Sequence, residues 1–355
     1  MQSRTFIVPF AVMGAASLLM AGCSSSTEGA AGTGDKADIK LGYSQPHTDP
    51  FQNAEQKGAI ERFAEEGYAY LPATNADRDA AQQITDIQTL INQGAKGLII
   101  SVGDSAAIVP AIEYANEMNV PIVAIDEAPA SGKIAMIVRA DNVRLGELAC
   151  DEMGKSVESG STVLTLDGDQ VTSNGRDRTA GFNDCMAEKY PDITLLHVAT
   201  EWDPAKAANG IETQFNQNPD IAGVYVQSDA TFYPSLLDTM KQMGKLTKVG
   251  EPGHVTLVSV DASPMSMTAI RDGYQDAAIS QPLTDYINYG VSYLVAAIEG
   301  ETFTAGPTDH NSTIGDYNGN LVDLLDTPVV TAENVDDEEL WGNQDFAIEA
   351  FAAEK

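Results

Sequence analysis

Basic residues are scarce: 20 lysines and arginines stand against 52 aspartates and glutamates, a formal net charge of −32. A chain of that sign offers no basic face to a phosphate backbone, so nucleic acid is not an expected partner. The four histidines, His47, His197, His254 and His310, lie scattered without the spacing of metal ligands. The three cysteines, Cys23, Cys150 and Cys185, include no CxxC pair. No G-x-S-x-G elbow occurs, nor a G-x-x-x-x-G-K-[ST] or G-x-G-x-x-G loop. The usual nucleophile and nucleotide motifs are therefore missing. Asp126 and Glu127 are adjacent acids, but consecutive residues at a strand end are expected to point apart. No catalytic set, metal or cofactor is expected. The chain does not read as an enzyme.

Long apolar runs are also few. The one at residues 6–20, behind Arg4, is too short and wrongly flanked for an ordinary spanning helix. It ends in Met20-Ala21-Gly22-Cys23, a small-residue pair before a cysteine, which resembles a bacterial lipobox. That resemblance makes residues 1–22 a signal peptide and Cys23 the lipidated residue, with Met20 replacing the usual leucine. Residues 23–38, rich in Ser, Gly, Ala and Thr, read as a flexible tether to the membrane. Export leaves Cys150 and Cys185 either as a disulfide or as two buried thiols.

At 355 residues, 43% of them hydrophobic, the chain is long enough for two cores. From Ile39 onward, short apolar runs alternate with helical periodicity, the pattern of an α/β fold with parallel sheets covered on both faces. The expected strands include residues 69–74 and 162–166, and the expected helices residues 51–66, 105–119 and 283–300. The alternation restarts at Asn142, which puts a break near Ala140. Residues 302–320 read as loop, and the acidic tail with Trp341-Gly342-Asn343 as surface packing.

Apolar runs repeatedly end in a polar residue: Ser44, Ser101, Asp126, Asp167, Ser228–Asp229 and Asp261. Each taken alone reads equally as an N-cap of the next helix. Together they suit the carboxyl ends of two sheets facing one cleft, where open α/β folds bind ligands. Residues 173–182, Ser-Asn-Gly-Arg-Asp-Arg-Thr-Ala-Gly-Phe, fall at one such handover of strand to helix. Arg176 and Arg178 either point into the cleft as fixed forks of donors, or are solvated or paired with Asp177 and Asp184.

A series of motifs in order resembles the periplasmic sugar-binding proteins of the ribose-binding type, from Ile39 to about Thr331. They are Asp49-Pro50-Phe51, Ile125-Asp126-Glu127, Ala140-Asp141-Asn142 and Arg176-Asp177-Arg178 with Gly181-Phe182. They continue with Trp202, Ser228-Asp229, Val260-Asp261-Ala262-Ser263-Pro264 and Gln281-Pro282. The family supplies solute receptors to ABC importers and shares its fold with the effector domain of lac-repressor-like regulators. The resemblance implies two doubly wound parallel-sheet lobes joined by three hinge crossings, a type I periplasmic binding protein. One lobe would comprise residues 39–140 and 282–325, the other residues 141–281 and 326–355.

It implies a sugar or polyol bound between the lobes, with Phe51 and Trp202 stacking on it. Asp49, Asp126, Glu127, Arg178, Ser228, Asp229, Asp261 and Gln281 would supply polar contacts. Glu127 stands where the ribose receptors carry a cation, Ser228 where they carry asparagine, and Gln52 where a second aromatic is usual. An acidic cleft disfavours sugar acids and sugar phosphates by repulsion and suits a neutral or amino-bearing sugar. His47 lies near this cleft and reads more simply as a surface histidine. The implied partners are an ABC permease and its ATPase, with the receptor a monomer held to the cell membrane by Cys23. The alternative is a receptor that signals to a membrane sensor or chemoreceptor.

Overall fold

The computed structural model describes residues 35–352, in which the alternation of strand and helix builds two sheets. The first stretch of chain forms β1 (Lys40–Gln45), α1 (Pro50–Glu65), β2 (Ala69–Tyr70), β3 (Thr74–Asn75) and α2 (Ala80–Asn92). Next come β4 (Ala95–Ile100), α3 (Val109–Glu117), β5 (Ile122–Ile125) and β6 (Met136–Ala140). The pattern restarts with α4 (Asn142–Ser156), β7 (Thr162–Asp167), α5 (Ser173–Lys189), β8 (Thr194–Ala199) and α6 (Pro204–Gln217). It continues through β9 (Ile221–Val226), α7 (Asp229–Gln242), β10 (Thr256–Asp261), α8 (Pro264–Arg271) and β11 (Ala277–Ser280). The last stretch contains α9 (Leu283–Ile298), β12 (Gly306–Pro307), β13 (Thr313–Tyr317), β14 (Asn320–Leu325), β15 (Val329–Val330) and α10 (Asp345–Ala352).

One sheet runs β12-β13-β14-β6-β5-β4-β1-β2, with β3 also on β1; the other runs β15-β11-β10-β9-β7-β8. Pairing is parallel except where β12, β13 and β15 join at the edges. Parallel strands need crossover helices, and helices on both faces leave the strands dry. That accounts for the continuous apolar runs: every residue of β5, β6, β10 and β11 is buried. The chain passes between the lobes at Asp141, at Gln281-Pro282 and at residues 326–328, where β14 of one sheet leads to β15 of the other.

Local chemistry sets the element ends. Asp79 caps α2 by accepting from the amides of Ala81 and Gln82, and the helix buries Ile87 and Ile91 one turn apart on one face. The strand expected over residues 69–74 is broken in two, because Pro72 has no N–H for the ladder. The helix expected over residues 105–119 is confined to α3: Pro110 sits in its first turn, and turns occupy residues 105–108.

Two further expectations fail. Residues 302–320 are not merely loop, because β12, β13 and β14 form an antiparallel extension of the first sheet. Tyr317 pairs with Asn320 around an Asn318-Gly319 turn whose φ angles are 52° and 82°, the tight-hairpin signal that Asn-Gly carries. The tail is not surface packing. Trp341 is only 2% exposed, sits edge-on to Phe51 with ring centroids 5.6 Å apart, and donates from Nε1 to the Asp261 carbonyl at 2.6 Å. The signal peptide, lipobox and most of the tether lie outside the described residues, and Lys36–Asp38 forms a short 3-10 turn. Among the described residues, no helix is long and apolar enough to cross a membrane.

Candidate functional site

The strand ends of both lobes meet around a cavity of about 160 Å³. Of the residues expected there, Asp49, Phe51, Asp126, Glu127, Arg178, Trp202, Ser228, Asp261 and Gln281 line it. Asp49 caps α1, accepting from Gln52 N at 2.8 Å, so one carboxylate both starts the helix and faces the cleft. Burial alone would raise its pKa. His47 at 3.1 Å, the Gln52 amide and the Thr231 hydroxyl at 3.0 Å outweigh that and hold it below the ordinary value. His47 is not a surface residue: its ring lines the cavity with only 13% of the side chain exposed.

Asp126 leaves β5 in the left-handed region, at φ 61°, which ends the alternation of side-chain directions. The expected divergence of Asp126 and Glu127 therefore fails, and both reach Asn174. Asp126 accepts from its side-chain amide at 2.7 Å and Glu127 from its backbone amide at 2.9 Å. Burial first, then the neighbouring Glu127, push Asp126 up to about 7, against the pull of Arg178. Asp261, at φ 105°, accepts from the Ser228 hydroxyl at 2.6 Å and the Ala230 amide at 3.2 Å. Burial drives its carboxyl well up, opposed by the Arg178 guanidinium 3.6 Å away.

Arg178 rises from the second turn of α5, buried to 2% exposure. Nε donates to Asn142 Oδ1 at 2.7 Å and one terminal nitrogen to the Gln227 carbonyl at 2.6 Å, while its Cζ lies 5.9 Å from the Trp202 ring centroid. Between the two readings of Arg178, the guanidinium reaches the cavity but is held by the fold. Arg176 is exposed and donates to Gln170 O at 3.1 Å and Ser105 Oγ at 3.3 Å. Trp202 stacks on Phe232 with centroids 6.1 Å apart and donates to Thr172 Oγ1 at 3.2 Å.

Not every polar strand end reaches the cavity. Asp229 lies under the neighbouring turn, accepting from the Ser259 hydroxyl at 2.5 Å and the amides of Ala262 at 3.1 Å and Ser263 at 2.9 Å. It holds the strained Asp261–Ala262 backbone and lies outside the cavity lining, not among the contacts expected of it. Asp167 serves Gln227 and His197 at the base of the same lobe. Ser44 and Ser101 are buried outside the lining.

The cavity also takes residues that were not among the expected contacts: Gln52, Arg78, Asn174 and Thr231. Gln52 is 5% exposed with a side-chain oxygen that has no protein partner. Its place beside Phe51 was the available signal; Arg78 and Thr231 gave none, since their partners across the cavity, the Glu201 and Trp202 carbonyls and Asp49, lie in the opposite lobe. Away from the cleft, the Sγ atoms of Cys150 and Cys185 are joined, fastening α4 to α5 with Cα atoms 6.2 Å apart.

The periplasmic binding protein domain family matches residues 42–302 of the chain. The ribose import binding protein of Bacillus subtilis is 28% identical over 251 residues, covering 70% of this chain and 78% of its own. The xylitol-binding protein of Mycolicibacterium smegmatis is 24% identical over 284 residues, covering 79% of this chain and 74% of its own. An ABC transporter solute-binding protein from Bacillus halodurans, solved with bound myo-inositol, superposes with a TM-score of 0.72 at 19% identity. That likeness covers 86% of this chain and 99% of the other, and it shows the shared fold.

Proposed function

The chain belongs to the periplasmic binding protein family, and from that premise we propose that it is the solute receptor of an ABC importer for a neutral monosaccharide or polyol. The observation that carries the reading is the convergence of strand-end side chains from both lobes on one cavity. Asp49, Asp126 and Asp261 are suited to hydroxyl groups, Arg178 to hydroxyl or ring oxygens, and Phe51 and Trp202 to the apolar faces of a ring. A carboxylate or phosphate on the ligand would enter a cavity lined by seven acidic residues against two guanidinium groups, Arg78 and Arg178, so sugar acids and sugar phosphates are disfavoured. The names of the relatives, ribose import and xylitol-binding, agree with this chemistry.

The test is a thermal-shift screen of the compact unit Asp35–Lys355 against pentoses, hexoses, inositols, other polyols, amino sugars and sugar acids. A ligand at a hundredfold its dissociation constant adds about 2.7 kcal/mol, enough to raise the melting temperature visibly. A hit on one neutral sugar or polyol is expected; silence there with a hit on a sugar acid overturns the reading.

The receptor works outside the cytoplasm, tethered to the membrane by lipid on Cys23. Cys23→Ala should move the protein from the membrane to the soluble fraction on cell fractionation. Retention of the variant would rule the anchor out.

A further inference from the structure

We propose that Glu127 and Arg78 form a two-point clasp that holds the lobes together independently of the solute, each through a charged side chain of one lobe on backbone groups of the other. It rests on the receptor reading only in that closure then matters for solute capture.

The first point of the clasp is the start of α5. Glu127 belongs to the lobe of β5, is 6% exposed, and takes the Ser173 hydroxyl at 2.6 Å and the Asn174 amide at 2.9 Å on one carboxylate oxygen. The Ala128 amide returns a bond to Ser173 Oγ at 2.8 Å. Arg139, from β6 of the same lobe, donates to Asn174 Oδ1 and Asp177 Oδ2, each at 2.8 Å. The first amides of a helix lack partners within it and carry its positive end, so a buried carboxylate there makes charge-assisted bonds. Thr172 already caps α5 from its own lobe, accepting from Gly175 at 3.2 Å. The amide taken by Glu127 is therefore satisfied only across the cleft.

The second point lies across the cavity. Arg78, from the lobe of β3, donates to the carbonyls of Glu201 at 3.2 Å and Trp202 at 2.8 Å, beyond β8 in the other lobe. Both sides of this contact are strained. Asp77 and Arg78 have φ of 50° and 66°, Glu201 and Trp202 of 52° and 54°, left-handed angles that non-glycine residues hold only when their surroundings demand it. Because the Trp202 ring is a wall of the cavity, Arg78 ties that wall to the opposite lobe.

Two separate contacts on one moving pair of lobes must be coupled, and the coupling is reciprocal. The test is hydrogen exchange, read by mass spectrometry, on the full chain without added solute. Glu127→Ala should speed exchange by about tenfold at the first turn of α5 and also at residues 200–203, where no contact was removed. Arg78→Ala should do the converse, loosening the start of α5. Faster exchange confined to the mutated side overturns the clasp and leaves Glu127 a helix cap; no change at either place overturns it as well. If alanine also loosens the core strands β4 and β10, Glu127→Gln, which keeps the shape and removes the charge, decides by the same distant readout. No ligand enters the measurement, so its failure leaves the receptor reading standing, and a silent solute screen leaves the clasp standing.

Discussion

Asp126 shows how one residue can be set against the fold that holds it. Its ordinary pKa is 3.8, and in the folded protein burial, with Glu127 beside it, pushes this up to about 7. Between those values the folded state keeps a proton that the unfolded chain has lost, so stability falls as pH rises through the window and then levels. Asp126→Asn removes the titration. The variant should match the wild type near about pH 4 and melt several degrees higher above about pH 7, as followed by calorimetry across that range. A gap that does not change with pH would show that the carboxyl ionises normally. The sequence placed Asp126 at a strand end but gave no hint of its proton, which depends on how much water the opposite lobe excludes. Arg178 was legible as a cleft residue. Its fixed bonds to Asn142 and Gln227 were not, so removing it should disturb the fold as well as any solute binding.

At the scale of elements, α4 and α5 are packed so closely that their glycines are obligatory. A Cβ on Gly181 would stand 2.0 Å from the Val143 carbonyl oxygen, and one on Gly146 would stand 2.4 Å from that of Arg178. Backbone cannot yield as a side chain can, so Gly181→Ala should cost about 1–3 kcal/mol in urea denaturation by forcing the helices apart. It should also weaken solute binding, since α5 carries Asn174 and Arg178; unchanged stability would mean that the helix pair slides freely. The periodicity of these helices is readable, whereas the Asn318-Gly319 turn signal stands in a polar stretch that reads as loop. The contact between two glycines and the opposing backbones was not readable, because it joins residues whose spacing carries no pattern.

At the scale of the whole molecule, the tail leaves β15 of one lobe and lays α10 against α1 of the other. Trp341 is its anchor, touching Phe51 with its ring and the Asp261 carbonyl with its Nε1, while Lys57 pairs with Glu349 farther out. The segment thereby backs two walls of the cavity. Trp341→Ala should lower stability by about 3–5 kcal/mol, the usual cost of emptying a buried aromatic site. Trp341→Phe keeps most of the packing and removes the bond to the strained Asp261. It should cost about 1–2 kcal/mol and weaken whichever solute the screen identifies, measured by titration calorimetry. Full affinity in the phenylalanine variant would reduce the tail to packing.

The sequence by itself determined the two-lobed α/β architecture, because alternating apolar runs and helical stripes admit few arrangements that bury both faces of a parallel sheet. It also determined which strand ends carry polar side chains. Only the tertiary structure decided their tasks: Asp229 holds a turn, Glu127 holds the other lobe, and Gln52, Thr231 and Arg78 join the cavity. The reason is physical. Periodicity reports which face of an element is dry, whereas a side chain's hydrogen-bond partner depends on backbone brought from the opposite lobe, at separations no local pattern records.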